Sequence, residues 1–299
     1  MVKQPVRHSR FTAVVAATAV LGLIAGCGES TRPVRVPALP SSFLFVSGAP
    51  GQGQIYRWYT DSVVPLTAGP GENVEPSAAS GRLAFASYRD GNSEIYLAAV
   101  NGADQHRVVT SSAFDNQPDL SPDATRLVFV STRTGAQRLY VADSSGLRLA
   151  PLLTGTVAGI PETSPAWSPD GRMIAFASSR TGTSQIFTVP AAGGAAIQHT
   201  RESLGAFDPS WSSDGDTIFF VASAASTEIR AVRIASGSII AFPRTGEGYG
   251  QPACGSFGCL AVRGPYGGIG ELVVLQLNGR RVTVVDSGSG PRRDPALIR

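Results

Sequence analysis

Ser164-Pro165-Ala166-Trp167-Ser168-Pro169-Asp170-Gly171-Arg172-Met173-Ile174-Ala175-Phe176 is the stretch from which the fold is read. Pro165 to Trp167 reads as a short strand. Ser168-Pro169-Asp170-Gly171 reads as a tight turn, because Pro presets φ at the second position and Gly accepts the closing one. Ile174 to Ser178 then alternates as a half-buried second strand should. Arg180-Thr181-Gly182 marks a further turn, and Ile186-Phe187 a third strand.

The phrase recurs along the chain. Gln117-Pro118-Asp119-Leu120-Ser121-Pro122-Asp123 runs into Leu127-Val128-Phe129, and Asp208-Pro209-Ser210-Trp211-Ser212-Ser213-Asp214-Gly215 into Ile218-Phe219-Phe220. Glu75-Pro76 reaches Leu83-Ala84-Phe85 by a shorter turn, Gln251-Pro252 reaches Leu260-Ala261-Val262, and Asp294-Pro295-Ala296-Leu297 opens a sixth copy. The prolines at 76, 118, 165, 209, 252 and 295 are spaced by 42, 47, 44, 43 and 43 residues. A period in the forties with several short strands per unit reads as propeller blades. The sixth copy stops at Arg299, and its missing strands sit at the other end: Phe43-Leu44-Phe45-Val46-Ser47 matches a second strand, Gln54-Ile55-Tyr56-Arg57 a third. The expected fold is all-β, a six-bladed propeller of four-stranded blades over residues 43–299, its last blade closed by both termini.

The motif Pro-x-Trp-Ser-Pro-Asp-Gly, followed by Ile-x-Phe-x-Ser and Arg-x-Gly, resembles the TolB-type β-propeller repeat, a relative of the WD repeats. The resemblance implies the propeller and a general binding role. TolB itself carries an additional N-terminal α/β domain, for which this chain has no room, and is soluble in the periplasm, so TolB's own partner is not carried over.

The first residues read as an export signal. Lys3, Arg7 and Arg10 precede Phe11 to Gly26, a stretch without a charge. It is shorter than the roughly 20 residues of a membrane span and has the flanks of a signal peptide over residues 1–26. Leu23-Ile24-Ala25-Gly26-Cys27 resembles the bacterial lipobox, which implies cleavage before Cys27 and a Cys27 that becomes the N-terminus and carries acyl chains; an ordinary secretory signal with a chance cysteine is the alternative. Several acyl chains anchor stably, at about 0.8 kcal/mol per buried CH₂. Gly28 after the Cys favours an outer-membrane destination facing the periplasm. Residues 27–42 then read as the lipidated Cys and a Pro-rich tether.

Composition narrows the function. Hydrophobic residues are 42% and charged residues 16%, against about 25% charged in a usual chain, so a highly charged disordered chain is excluded. The formal charge is +3, and beyond the leader it is zero. Nucleic-acid binding through electrostatics is not expected.

Cys254 and Cys259 flank the first hairpin of blade five. Facing hairpin positions can meet disulfide geometry, and export favours oxidation; two buried thiols are the alternative. His106 and His199 are scattered, without the three ligands a catalytic zinc needs, and no Asp-rich calcium loop occurs. No metal or other cofactor is expected.

Catalysis finds little support. No Gly-x-Ser-x-Gly occurs. Glu75, Asp208 and Asp294 could pair for glycoside hydrolysis, but the repeat itself places polar residues there. Tracing the strands up and down brings two sets to one face of the channel. One is the residue before each Pro: Glu75, Gln117, Ser164, Asp208, Gln251 and Asp294. The other is the turn arginines Arg89, Arg133 and Arg180, whose planar forks suit carboxylate or peptide recognition; alternatively they are inter-blade hydrogen-bond donors. Trp167 and Trp211 read as core. Gly264-Pro265-Tyr266-Gly267-Gly268-Ile269-Gly270 reads as a long loop on the binding face. The expected function is a non-catalytic, monomeric envelope module that docks a protein, peptide or glycan at the channel mouth. A channel-site hydrolase or lyase, and a structural assembly lipoprotein, are the alternatives.

Overall fold

The structure, a computed structural model, describes residues 40–59, 62–153, 159–241, 248–264, 270–276, 281–283 and 292–299. The leader, Cys27, the tether up to residue 39 and residues 265–269 of the Gly-rich loop lie outside the described residues. All secondary structure among the described residues is strand.

Six four-stranded sheets form the blades. Blade 3 shows how the motif folds. Its inner strand is Glu162–Trp167, followed by Met173–Ser178, Gln185–Pro190 and the short outer Ile197–Gln198. The turn between the first two strands closes through Gly171 N, which donates to Ser168 O at 2.9 Å, with Gly171 at φ 70°. Asp170 Oδ1 accepts from Ser168 Oγ and from Arg172 N, which fixes the turn. The inner strand begins three residues before Pro165 rather than at it, because Glu162 and Thr163 already pair with Ser178 and Ala177. The ladder then skips between Thr163 and Ala166. A bulge there absorbs the proline, which has no N–H to give a ladder.

The second strand is not half-buried. Ile174 to Ala177 are all essentially inaccessible. Ile174 and Phe176 pack toward blade 2, against Val128, Val130 and Leu139. Ala175 and Ala177 pack toward blade 4, against Trp211, Ile218 and Phe220. The period-2 alternation thus divides large from small residues between two blade interfaces. The core is six such interfaces, each buried Phe contributing about 1.5–3 kcal/mol. Phe176 lies opposite Phe187 with ring centroids 5.7 Å apart, and Phe85–Tyr96 repeats this at 5.7 Å in blade 1.

The sixth blade has the order expected. Arg292–Leu297 pairs with Ser42–Ser47, which pairs with Gln54–Tyr59 and then Ser62–Pro65. Phe43 faces Leu297 and Leu44 faces Ala296. Contacts between neighbouring inner strands run from Asn73–Ala79 around to Arg292–Leu297 and back, so the ring closes. In blade 5, Cys254 and Cys259 face each other across the first hairpin and are joined in a disulfide.

Candidate functional site

The six residues before the prolines share one backbone state. Glu75, Gln117, Ser164, Asp208, Gln251 and Asp294 have φ of 53°, 49°, 49°, 46°, 53° and 49°. A non-Gly residue there costs about 1–3 kcal/mol and persists only where its surroundings over-determine it. Here the surroundings are the next blade. Gln117 N donates to Glu75 Oε2 at 2.6 Å, Ser164 N to Gln117 Oε1 at 2.8 Å, Asp294 N to Gln251 Oε1 at 2.9 Å, and Glu75 N to Asp294 Oδ2 at 3.3 Å. Ser164, too short to reach the next N–H, donates its Oγ to Asp208 Oδ1 at 2.9 Å. Gln251 Nε2 also donates to Asp294 Oδ1. The result is a polar belt in which, at four junctions, the side chain of one blade receives the backbone of the next. Every member has an acceptor oxygen, which is what the position demands.

Three carboxyl groups in one belt repel. Burial pushes the Glu75 carboxyl up to about 8, with the Asp294 carboxylate adding to the rise; the Gln117 N–H and Arg293 oppose it. Burial also raises Asp294, against the Arg293 guanidinium whose Nε lies 3.5 Å from Asp294 Oδ2. Glu75 therefore holds a proton at neutral pH, and the belt carries less charge than its composition suggests.

From the belt, a cavity of about 530 Å³ extends along the inner strands to the turns between strands one and two. Pro118, Pro165 and Pro209 with Trp211 give it apolar walls, and Pro122, Pro169 and Ser213 stand at its mouth. All six belt residues line it. Trp167 and Trp211 are core residues: each is buried, and their indole N–H groups donate to Asp119 O and Ala166 O in the preceding blade.

Arg89, Arg133 and Arg180 do not line the cavity. Each folds back within its own blade in the same way. Arg133 Nε donates to Ser131 Oγ at 2.8 Å, and Nη2 to both oxygens of Asp115 at 3.0 Å. Its guanidinium lies over Phe129 and Tyr140. Arg180 joins Ser178 and Glu162 over Phe176 and Phe187; Arg89 joins Ser87, Asn73 and Gln105 over Phe85 and Tyr96. The donor role anticipated as an alternative is thus met inside a blade and not between blades. Arg138, by contrast, does donate between blades, from blade 2 to Glu162 of blade 3 at 3.1 Å. The structure gathers the pre-proline set into the channel wall and leaves the arginine set as a clip on each blade's aromatic pair.

Two residues at the cavity escaped the sequence reading, Asp119 and Arg299. The signal for Asp119 lies in the aligned copies: its equivalents are Ser77, Ala166, Ser210, Ala253 and Ala296, so it is the one ionisable side chain at a small-residue position. Asp119 Oδ1 accepts from Ser77 Oγ at 2.5 Å and Oδ2 from Trp167 N at 2.7 Å. Among the described residues, no cluster of three or more His, Cys, Asp or Glu is arranged to hold a metal ion.

Comparison with known proteins follows the same lines. Residues 75–297 match the family described as TolB beta propeller domain. A TolB homologue of Chlorobium luteolum is 29% identical over 100 residues, covering 33% of this chain and 22% of the relative. The aligned part is thus under a quarter of that protein. TolB from Acinetobacter baumannii superposes with a TM-score of 0.71 at 18% identity, over 86% of this chain and 66% of that one. Hydrazine synthase of Kuenenia stuttgartiensis gives 0.70 at 15% identity, over 88% and 47%. At such identities these structures share the fold alone.

Proposed function

The chain belongs to the TolB β-propeller domain family, and we propose that it serves as a non-catalytic binding module of the bacterial envelope, anchored through Cys27, which docks a protein, peptide or glycan in the channel cavity. The observation that carries this is the 530 Å³ hollow with apolar proline and tryptophan walls. Ligand sites are concave, mostly apolar, and carry a few placed polar groups. The proposed site is the cavity end bearing the Ser-Pro-Asp-Gly turns, since the arginines at the other turns are engaged within their blades.

The test is cross-linking of the full chain in envelopes of the producing bacterium, with the wild type beside Ser213→Trp and Ala166→Trp, which place bulk at the mouth and on the wall. A partner enriched by the wild type and lost from both folded variants supports docking there. Equal capture by all three removes the cavity from the reading. Conversion of Cys27→Ser is expected to release the chain from the membrane fraction and to abolish incorporation of labelled fatty acid.

One observation favours a channel enzyme. A carboxyl shifted toward neutrality in a cleft is a feature of general acids, and Glu75 has that feature. Against it, Glu75 and Asp294 both accept backbone N–H groups of the belt, which a structural role explains. A Glu75→Gln variant that retains partner capture separates the two readings.

A further inference from the structure

Arg299 reaches into the cavity mouth. Its Nη2 donates to Asp119 Oδ1 at 2.5 Å and to Leu120 O at 3.4 Å, and its Nη1 donates to Trp167 O at 3.2 Å. One carboxylate and two carbonyls, from two blades, thus surround one guanidinium. A planar fork matched by several acceptors is how guanidinium groups are recognised. Among the described residues, the lining carries four with a carboxyl group, Glu75, Asp119, Asp208 and Asp294, and one cationic residue, Arg299. The Arg299 backbone is held separately: its N–H donates to Ala78 O at 3.0 Å and its carbonyl accepts from Ser80 N at 2.9 Å. Its side chain remains 32% exposed, against 13% for Asp119. The side chain can therefore leave without disturbing the strand pairing that carries it.

We propose that Asp119, Leu120 O and Trp167 O form a guanidinium subsite of the cavity, filled in cis by Arg299, and that the ligand is a peptide whose arginine side chain takes this place by displacing Arg299. This rests on the cavity being a docking site. Exchange of one guanidinium for another keeps Asp119 paired, so the carboxylate is not stranded during binding. Arg299 then sets a threshold, because the apparent affinity falls by the fraction of molecules in which the subsite is vacant. The apolar walls beyond the subsite would take the residues flanking the arginine.

The probe is N-acetyl-argininamide, with N-acetyl-citrullinamide as the uncharged isostere, titrated into the full chain by calorimetry and NMR. Arg299→Gln keeps the backbone pairing with Ala78 and removes the charge; Arg299→Ala opens the site further. Both variants are expected to bind the arginine compound about tenfold more tightly than the wild type, on the reasoning of a competing occupant. Citrullinamide is expected to bind none of them measurably, and Asp119→Asn in the Arg299→Gln chain is expected to abolish binding. In the wild type, excess argininamide is expected to move the Arg299 Nε–Hε resonance to its solvent-exposed position, a readout that needs no variant. An unmoved resonance, equal affinity in wild type and variants, or equal binding of citrullinamide overturns the proposal. If Ser213→Trp still abolishes partner capture while argininamide fails to bind, the docking site stands and the guanidinium subsite falls.

Discussion

The backbone N–H of Gln117 donates to Glu75 Oε2 across 2.6 Å, from one blade to the side chain of the blade before it. The two residues are 42 apart in sequence and occupy the same place in successive repeats. Each therefore stands both as acceptor for the next blade and as donor to the previous one. At Glu75, Gln117, Ser164 and Asp294 the left-handed backbone before the proline turns the N–H toward that neighbour, and the hydrogen bond offsets its strain.

The protonated state of Glu75 ties stability to pH. Its carboxyl is raised from 4.5 to about 8 in the folded chain, so the folded state binds the proton more tightly than the unfolded one. The stabilisation is fully present below pH 4.5 and is lost as pH rises through 8. The slope is at most about 1.4 kcal/mol per pH unit for one such group. Thermal midpoints are expected to fall between pH 5 and 8, and Glu75→Gln is expected to flatten that fall. Gln fits because Gln117 and Gln251 already do the same work with an amide oxygen. A slope unchanged in the variant removes Glu75 as its source.

Gln117→Leu deletes the acceptor for Ser164 N. A backbone N–H left without a partner costs about 1–3 kcal/mol, and urea unfolding is expected to show a loss of that size. Gln117→Glu, which keeps the acceptor, is expected to lose less below pH 5 than at pH 8, because it adds a fourth carboxyl to the belt.

Arg133→Ala leaves Asp115 buried without its bidentate partner. Removing one member of a buried pair costs about 3–5 kcal/mol, and the aromatic pair Phe129–Tyr140 loses its cover as well. Arg133→Lys is expected to recover only part of this, since an ammonium cannot span both oxygens and Ser131 Oγ together. Chemical denaturation of the three proteins reads the difference. The same exchange at Arg180 is expected to be milder, because Glu162 retains Arg138.

Reduction of the Cys254–Cys259 disulfide is expected to lower stability by about 2 kcal/mol, the small loop limiting the effect. The two residues already pair across a hairpin, so the blade is expected to keep its ladder. Melts with and without a thiol reductant measure this; a loss of the whole ring on reduction contradicts it.

Much of the architecture was legible. Six prolines at a period in the forties, the Ser-Pro-Asp-Gly turn and the split sixth copy led directly to the ring. The polar residue before each proline was visible as a repeat feature, and all six of these residues line the cavity. The role of Arg89, Arg133 and Arg180 was not visible. Their reach depends on side-chain rotamers over Phe–aromatic pairs that meet only once the second and third strands are in register. Asp119 was hidden for a different reason: it looks like one more polar residue until the six copies are laid over each other and every equivalent is small.

By itself the sequence determined what is local and periodic: turns from Pro and Gly chemistry, strands from alternation, and the blade count from spacing. These follow from the covalent chain and its backbone preferences, which act within a few residues. Only the tertiary structure decided where charge and hydrogen bonds go. The belt joins residues 42 to 47 positions apart, and 219 apart where Glu75 meets Asp294; Arg299 reaches Asp119 across 180. Such pairings depend on ring closure, which fixes distances that no local pattern encodes. Ring closure also decided that the alternating second strands bury both faces, because each blade is packed between two others.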